Sequence, residues 1–252
     1  MISKYSILNA QVIDIETTSK YATFSDFQVA EPKMALLFEK KMKNQVAEKM
    51  LQPVHTYQAS GGGASRSKTR MDSLEEVYSE KAALYAEFAR VVCVSRAKVV
   101  EDAETKKTTV KTVTIKDDSE AEILRKLASA LNKSAENREF FLIGHNLIGF
   151  DIPFLCKRYL INGMEIPKTL DITGLKPWEI KHTDSMRLWS FGAYEMTSFD
   201  LMATSLGVET KTIMDGSDVG RYFWIQKDVE SIAKYCEEDV EKLAEVMMNI
   251  SV

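Results

Sequence analysis

The chain has 252 residues, 45% hydrophobic and 28% charged, with a formal net charge of −4. That length and apolar content suit one large domain over residues 1–252 with a buried core. The slight acidity excludes a strongly basic nucleic-acid coat, and no uninterrupted apolar run approaches membrane-spanning length.

Hydrophobic periodicity gives the elements in chain order. A first strand is predicted from about Gln11 to Glu16. An insertion over about residues 30–90 follows, with an amphipathic helix from Lys33 to Met50, a Gly-rich basic segment 60–70 and a second helix near Ser73 to Ala89. Strands are predicted at Val91–Ala97 and Thr108–Ile115, then a helix from Ser119 to Lys133. Phe140–Ile143 reads as a short buried strand ended by Gly144, and an apolar helical pattern opens at Asp151. His182 to Trp189 could form a strand with Asp184 near its start, and a short helix runs from Ser198 to Gly207. The last helix spans Asp228 to Met248. Strands followed by helix, strand and helix predict an α/β chain with a mixed central sheet flanked by helices.

Carboxylates at three separate places carry the chemistry. In a strand, Asp14 and Glu16 project to the same face while Ile13 and Ile15 take the other. Two acids this close repel unless a proton or a cation intervenes, and hard divalent ions favour such oxygen donors. The bland alternative is a strand end with solvated acids. Asp151 follows His145, Asn146 and Phe150; it reads equally as a helix N-cap, with Asn146 a turn residue. Tyr235 and Asp239 are one helical turn apart and share a face, whereas Glu237, Glu238 and Glu241 read as an ordinary solvated surface.

Taken together, Asp14-x-Glu16, Asn146 with Phe150-Asp151, and Tyr235-x-x-x-Asp239 resemble the three motifs of DEDD-superfamily 3′–5′ exonucleases. The tyrosine marks the DEDDy branch, and the likeness is to predicted stand-alone exonucleases related to the proofreading domain of family B polymerases. The resemblance implies a ribonuclease H-like fold and a metal-dependent 3′–5′ exonuclease acting on single-stranded DNA. Two divalent ions, Mg²⁺ or Mn²⁺, would stand about 3.5–4 Å apart at the scissile phosphate. It implies that Asp14, Glu16, Asp151 and Asp239 hold the metals and that Tyr235 orients the attacking water. Thr17, Asn146 and Phe150 are implied as substrate contacts. The partner expected is a single strand with a free 3′ end, DNA ahead of RNA. A proofreading role would need a separate polymerase or repair partner. An exoribonuclease, a small-nucleotide phosphodiesterase and a catalytically silent nucleic-acid-binding module are the rival readings.

Cys93, Cys156 and Cys236 lie in apolar patterns without zinc spacing, which implies reduced core thiols and, with no leader pattern, a cytoplasmic location and no membrane partner. Arg66, Lys68 and Arg70 among glycines read either as a phosphate-touching loop or as a solvated, disordered one. The same resemblance implies Asp184, Lys211 or Arg221 as a further substrate contact, while Trp178 and Trp189 equally read as core. His55 and His145 read as structural or solvated, and His182 as a surface residue.

Overall fold

The computed structural model describes residues 3–57, 63–194, 196–210 and 214–251, and side chains for these except residues 4–5, 53–57 and 63–67. Lys211 and residues 58–62 lie outside the described residues, as do the side chains of His55 and Arg66.

In chain order the elements are α1 (Lys4–Ile7), β1 (Ala10–Ser19), α2 (Phe24–Ala30), α3 (Pro32–Lys41), α4 (Lys43–Met50), β2 (Pro53–Tyr57), β3 (Gly63–Ser67) and α5 (Arg70–Lys81). After these come β4 (Ala89–Glu101), β5 (Thr108–Lys116), α6 (Glu120–Ser134), β6 (Phe141–Gly144) and α7 (Asp151–Ile161). The rest are β7 (Thr183–Asp184), α8 (Ser185–Ser190), α9 (Phe199–Ser205), α10 (Val219–Arg221) and α11 (Val229–Asn249).

The chain divides into two compact units, residues 1–16 with 91–252, and residues 17–90. The first carries Asp14, Glu16, Asp151 and Asp239. Five strands form one sheet in the order β5-β4-β1-β6-β7. β6 runs parallel to β1, with Val12 opposite Ile143, and parallel to β7, with Gly144 opposite Asp184. β4 and β5 are antiparallel, from Cys93 opposite Lys116 to Glu101 opposite Thr108. Val12, Ile13 and Ile15 are all buried, as expected for a central strand covered on both faces. Helices α6 and α11 pack on this sheet. The result is the mixed α/β arrangement, a five-stranded sheet flanked by helices, that the order of elements predicted.

α6 buries Ile123, Leu124, Leu127 and Leu131, one stripe of an amphipathic helix. α7 is tied to α6 by a bidentate pair. Arg158 Nε donates to Glu120 Oε1 at 2.8 Å and Nη2 to Oε2, with both side chains nearly excluded from water. Glu120 also accepts from the Val91 amide at 2.8 Å and from Asn162. These bonds hold its carboxyl below the usual range against the opposing cost of its burial. At the mouth of β6, Gly144 is required by close packing: a Cβ there would lie 3.1 Å from the Ile13 carbonyl oxygen and 2.9 Å from Leu147 Cβ.

The second unit contains the expected insertion and is organised by aromatic rings. Phe24, Phe27, Phe38, Tyr78 and Phe88 form one buried cluster, with Phe27 and Tyr78 stacked at 5.3 Å and Phe38 edge-on to Phe88 at 5.1 Å. α5 begins at a capping box, in which Thr69 accepts from the Asp72 amide and Asp72 from the Thr69 amide.

Several expectations are corrected. The helix expected over Lys33–Met50 is two helices, because Met42 leaves the helical region at φ −96°, ψ 13°. The strand expected through Trp189 stops at Asp184, whose carboxylate caps α8 by accepting from the Met186 amide. Trp178 is 77% exposed and is not core, whereas Trp189 packs against the buried cluster beneath α9 and α11. Within the Gly-rich segment, Gly63–Ser67 pairs as a strand with Pro53–Tyr57 and is not a disordered loop. Lys68 is ion-paired with Glu76 and Arg70 with Glu39. His182 is half-buried: its Nδ1 accepts from the Leu142 amide at 3.1 Å and its Nε2 donates to the Thr169 carbonyl at 2.7 Å.

Candidate active site

Three elements of the first unit bring the acids together. β1 presents Asp14 and Glu16, the first residue of α7 is Asp151, and α11 carries Tyr235 and Asp239. Asp151 is not the N-cap; Phe150 holds that position, and the Asp151 side chain is only 3% exposed. Its carboxylate accepts from its own amide and from the Ile15 amide, and the Ile15 N–H also reaches the Asp14 carboxylate. The Tyr235 hydroxyl donates to Asp239.

The electrostatics are those of crowded carboxyl groups whose ionisation is opposed by burial and by one another. Burial first, and then the Asp239 charge, lift Asp14 to about 7. Glu16 is pushed well above the ordinary carboxylate range by burial and then by Asp14, with Cys93, Asp239 and Asp151 adding to it. Asp151 is raised in the same way by burial and by Asp14. Asp239 rises to about 6 through burial, and its hydrogen bond from Tyr235 pulls the other way. Burial and the surrounding carboxylates push the Tyr235 phenol above its ordinary value. Among the described residues, no lysine or arginine forms an ion pair with Asp14, Glu16, Asp151 or Asp239. Buried acids without cationic side chains offer the oxygen donors that a hard divalent cation favours.

Asp184 builds the turn that delivers Asp151. It accepts from the amides of Asn146 and Ile148, both at 3.0 Å, and of Met186 at 3.1 Å. Asn146 takes a left-handed backbone at φ +57°, and its carbonyl accepts from the Gly149 and Phe150 amides. The Asn146 and Phe150 side chains are half-buried beside this turn. His145 is engaged at both ring nitrogens, with Ser185 Oγ at 2.9 Å and the Thr197 carbonyl at 3.0 Å. Burial keeps its pKa below the usual value. Thr17, in the second unit, is buried and donates its hydroxyl to the Ala83 carbonyl at 2.9 Å. Arg221 is ion-paired with Asp218 at 2.7 Å.

Cys236 enters this site although the sequence placed it only in the core. Its Sγ donates to Asp14 Oδ2 at 3.4 Å, and burial pushes the thiol pKa up. Ligand atoms of Asp14, Glu16 and Cys236 lie within 4.8 Å of one another. The available signal was its place beside Tyr235, about 100° round the helix, where the apolar stripe meets the acidic edge.

Residues 82–244 match a family described as predicted 3′–5′ exonucleases related to the exonuclease domain of PolB. That is well over half of the chain, and the chain belongs to this family. The matched residues include Asp151, Tyr235 and Asp239 and begin after Asp14 and Glu16. Among solved structures, the chain is similar to the family B DNA polymerase of the hyperthermophilic archaeon Pyrobaculum calidifontis, with a TM-score of 0.49 and 16% identity. That similarity covers 68% of this chain and 23% of the polymerase chain. No curated protein matches the chain.

Proposed function

We propose that this protein is a 3′–5′ exonuclease of single-stranded DNA using two divalent cations, Mg²⁺ or Mn²⁺, held by Asp14, Glu16, Asp151 and Asp239. The observation that carries the reading is the convergence of these four acids, from three distant stretches of sequence, without a cationic side chain to balance them. Bound cations would acidify a water and neutralise charge on the scissile phosphate.

The chain's own residues have distinct roles in this reading. Asp14, at the centre of the cluster, would serve both ions; Glu16 and Asp239 would help hold one, and Asp151 the other. Tyr235 stays protonated, since its phenol is shifted away from neutrality; it cannot serve as a base and orients the attacking water by hydrogen bonding. Asp184 sets the backbone of residues 146–148 and so positions Asp151 without touching substrate. Asn146 and Phe150 flank Asp151 and would contact the terminal nucleotide, with Thr17 further along β1. The whole chain acts as one exonuclease domain with its insertion, in the cytoplasm, and a proofreading or repair role would draw on a separate polymerase or repair partner.

The test is degradation of a 5′-labelled single-stranded DNA and a matched RNA with Mg²⁺ or Mn²⁺, beside an Asp14→Ala control. A ladder shortening from the 3′ end on DNA, absent in the control, is expected. Preference for the RNA would replace DNA as the substrate. No metal-dependent cleavage of either would refute the proposal.

A further inference from the structure

We propose that Asp14, Glu16 and Cys236 also form a site for a thiophilic divalent cation, Zn²⁺ or Cd²⁺, with the Cys236 sulfur as a ligand. The inference rests on the reading that these carboxylates hold metal, and adds a second, softer ligand set within the same cluster. Cys236 Sγ stands 3.4 Å from Asp14 Oδ2. A tetrahedral ion with Zn–S of about 2.3 Å and Zn–O of about 2.1 Å holds sulfur and oxygen about 3.6 Å apart. The sulfur and the carboxylate oxygen therefore already stand at the spacing of two ligands on one edge of that tetrahedron.

Glu16 supplies the independent observation. Its side chain is only 7% exposed, yet no described residue gives its carboxylate a hydrogen bond or ion pair. It faces the same point as Asp14 and Cys236, all three offering a ligand atom within 4.8 Å of the others. Cys236 is fixed there: it is fully buried and packs with Val92, Cys93, Ile232 and Ala233. Cys93 packs with Cys236 but stands outside the three-residue cluster, as a neighbour and not a ligand.

Hard cations pass the sulfur by, so with Mg²⁺ the thiol remains a hydrogen-bond donor to Asp14. A thiophilic ion instead takes the sulfur as thiolate, and the displaced proton leaves to solvent, with no electron transferred. Zinc or cadmium would then compete with Mn²⁺ for Asp14 and Glu16.

The experiment titrates the full chain with Cd²⁺ and reads the sulfur-to-cadmium charge-transfer absorption, with Mn²⁺ binding measured in parallel. The band is expected in wild type, C93S and C156S, and lost in C236S. In C236S, Cd²⁺ affinity should fall by about 100-fold and Mn²⁺ affinity by under about 10-fold. Cadmium NMR of the wild type gives a readout without any variant, and a resonance typical of one sulfur among oxygens is expected. A band that persists in C236S, an all-oxygen cadmium resonance, or a wild type that binds Mn²⁺ but shows no band would overturn the proposal while leaving the carboxylate site standing. Failure to bind either ion would overturn both.

Discussion

Replacing Asp14 by Asn should stabilise the metal-free protein and destabilise the metal-loaded one relative to wild type. Asp14 is lifted from 3.8 to about 7 by burial and by Asp239, so between those values the folded state holds a proton that the unfolded chain has released. Wild-type stability without metal therefore falls as pH rises from about 4 to about 7. The full shift sets a ceiling of about 4 kcal/mol at pH 8. Asp14 is only partly buried and its repulsion is shared with Asp239, which brings the expected penalty to about 2 kcal/mol. Asn keeps one acceptor oxygen for the Ile15 amide and removes the charge. Thermal unfolding in EDTA at pH 8 should place D14N about 4–8 °C above wild type, and the gap should close near pH 4. With Mn²⁺ at 100 times its Kd, wild type gains about 2.7 kcal/mol and the order should reverse. A D14N protein less stable than wild type in EDTA at pH 8, or a gap unchanged between pH 4 and pH 8, would refute the account of the buried acids.

Other expectations follow from the same geometry. Asp184→Ala removes the acceptor of the Asn146, Ile148 and Met186 amides; it should cost about 2–3 kcal/mol in urea unfolding and slow cleavage, and a cost below about 0.5 kcal/mol would contradict its role. Tyr235→Phe should reduce the cleavage rate about 100-fold at saturating Mn²⁺ while leaving Mn²⁺ affinity nearly unchanged, as measured by single-turnover digestion and by titration. Glu120→Ala removes the bidentate carboxylate partner of the nearly buried Arg158 and should cost about 3–5 kcal/mol by chemical denaturation; a loss under 1 kcal/mol would contradict the weight given to this pair.

Much of the site was legible because its signals are local. A carboxylate pair at strand spacing stays on one face wherever the strand goes, which is why Asp14 and Glu16 could be read together. Likewise, helical spacing alone puts Tyr235 and Asp239 side by side. Asp184 was legible only as a candidate, because its role depends on amides nearly 40 residues earlier and on a strand of two residues, too short to show a period. The partnership of Cys236 with Asp14 is a contact between residues 222 apart, and no pattern within a helix reports it. In the insertion, α2 was missed because Phe24 and Phe27 stand among polar residues, and their burial is decided by Phe38, Tyr78 and Phe88. The break at Met42 was missed because the apolar spacing continues across it.

The same sequence separation has a kinetic side. Synthesis runs from the amino end, so the strand bearing Asp14 emerges long before the helix bearing Tyr235, Cys236 and Asp239. Closing so long a loop is the late, slow kind of folding event. A nascent chain or partly folded intermediate without α11 in place lacks Asp239 beside Asp14, and so has neither its repulsion nor its contribution to the metal site. On the proposed function, docking of one helix would therefore introduce the last acid and the capacity to cut a nucleic-acid strand in the same event, and a chain that stalls before it would be inert.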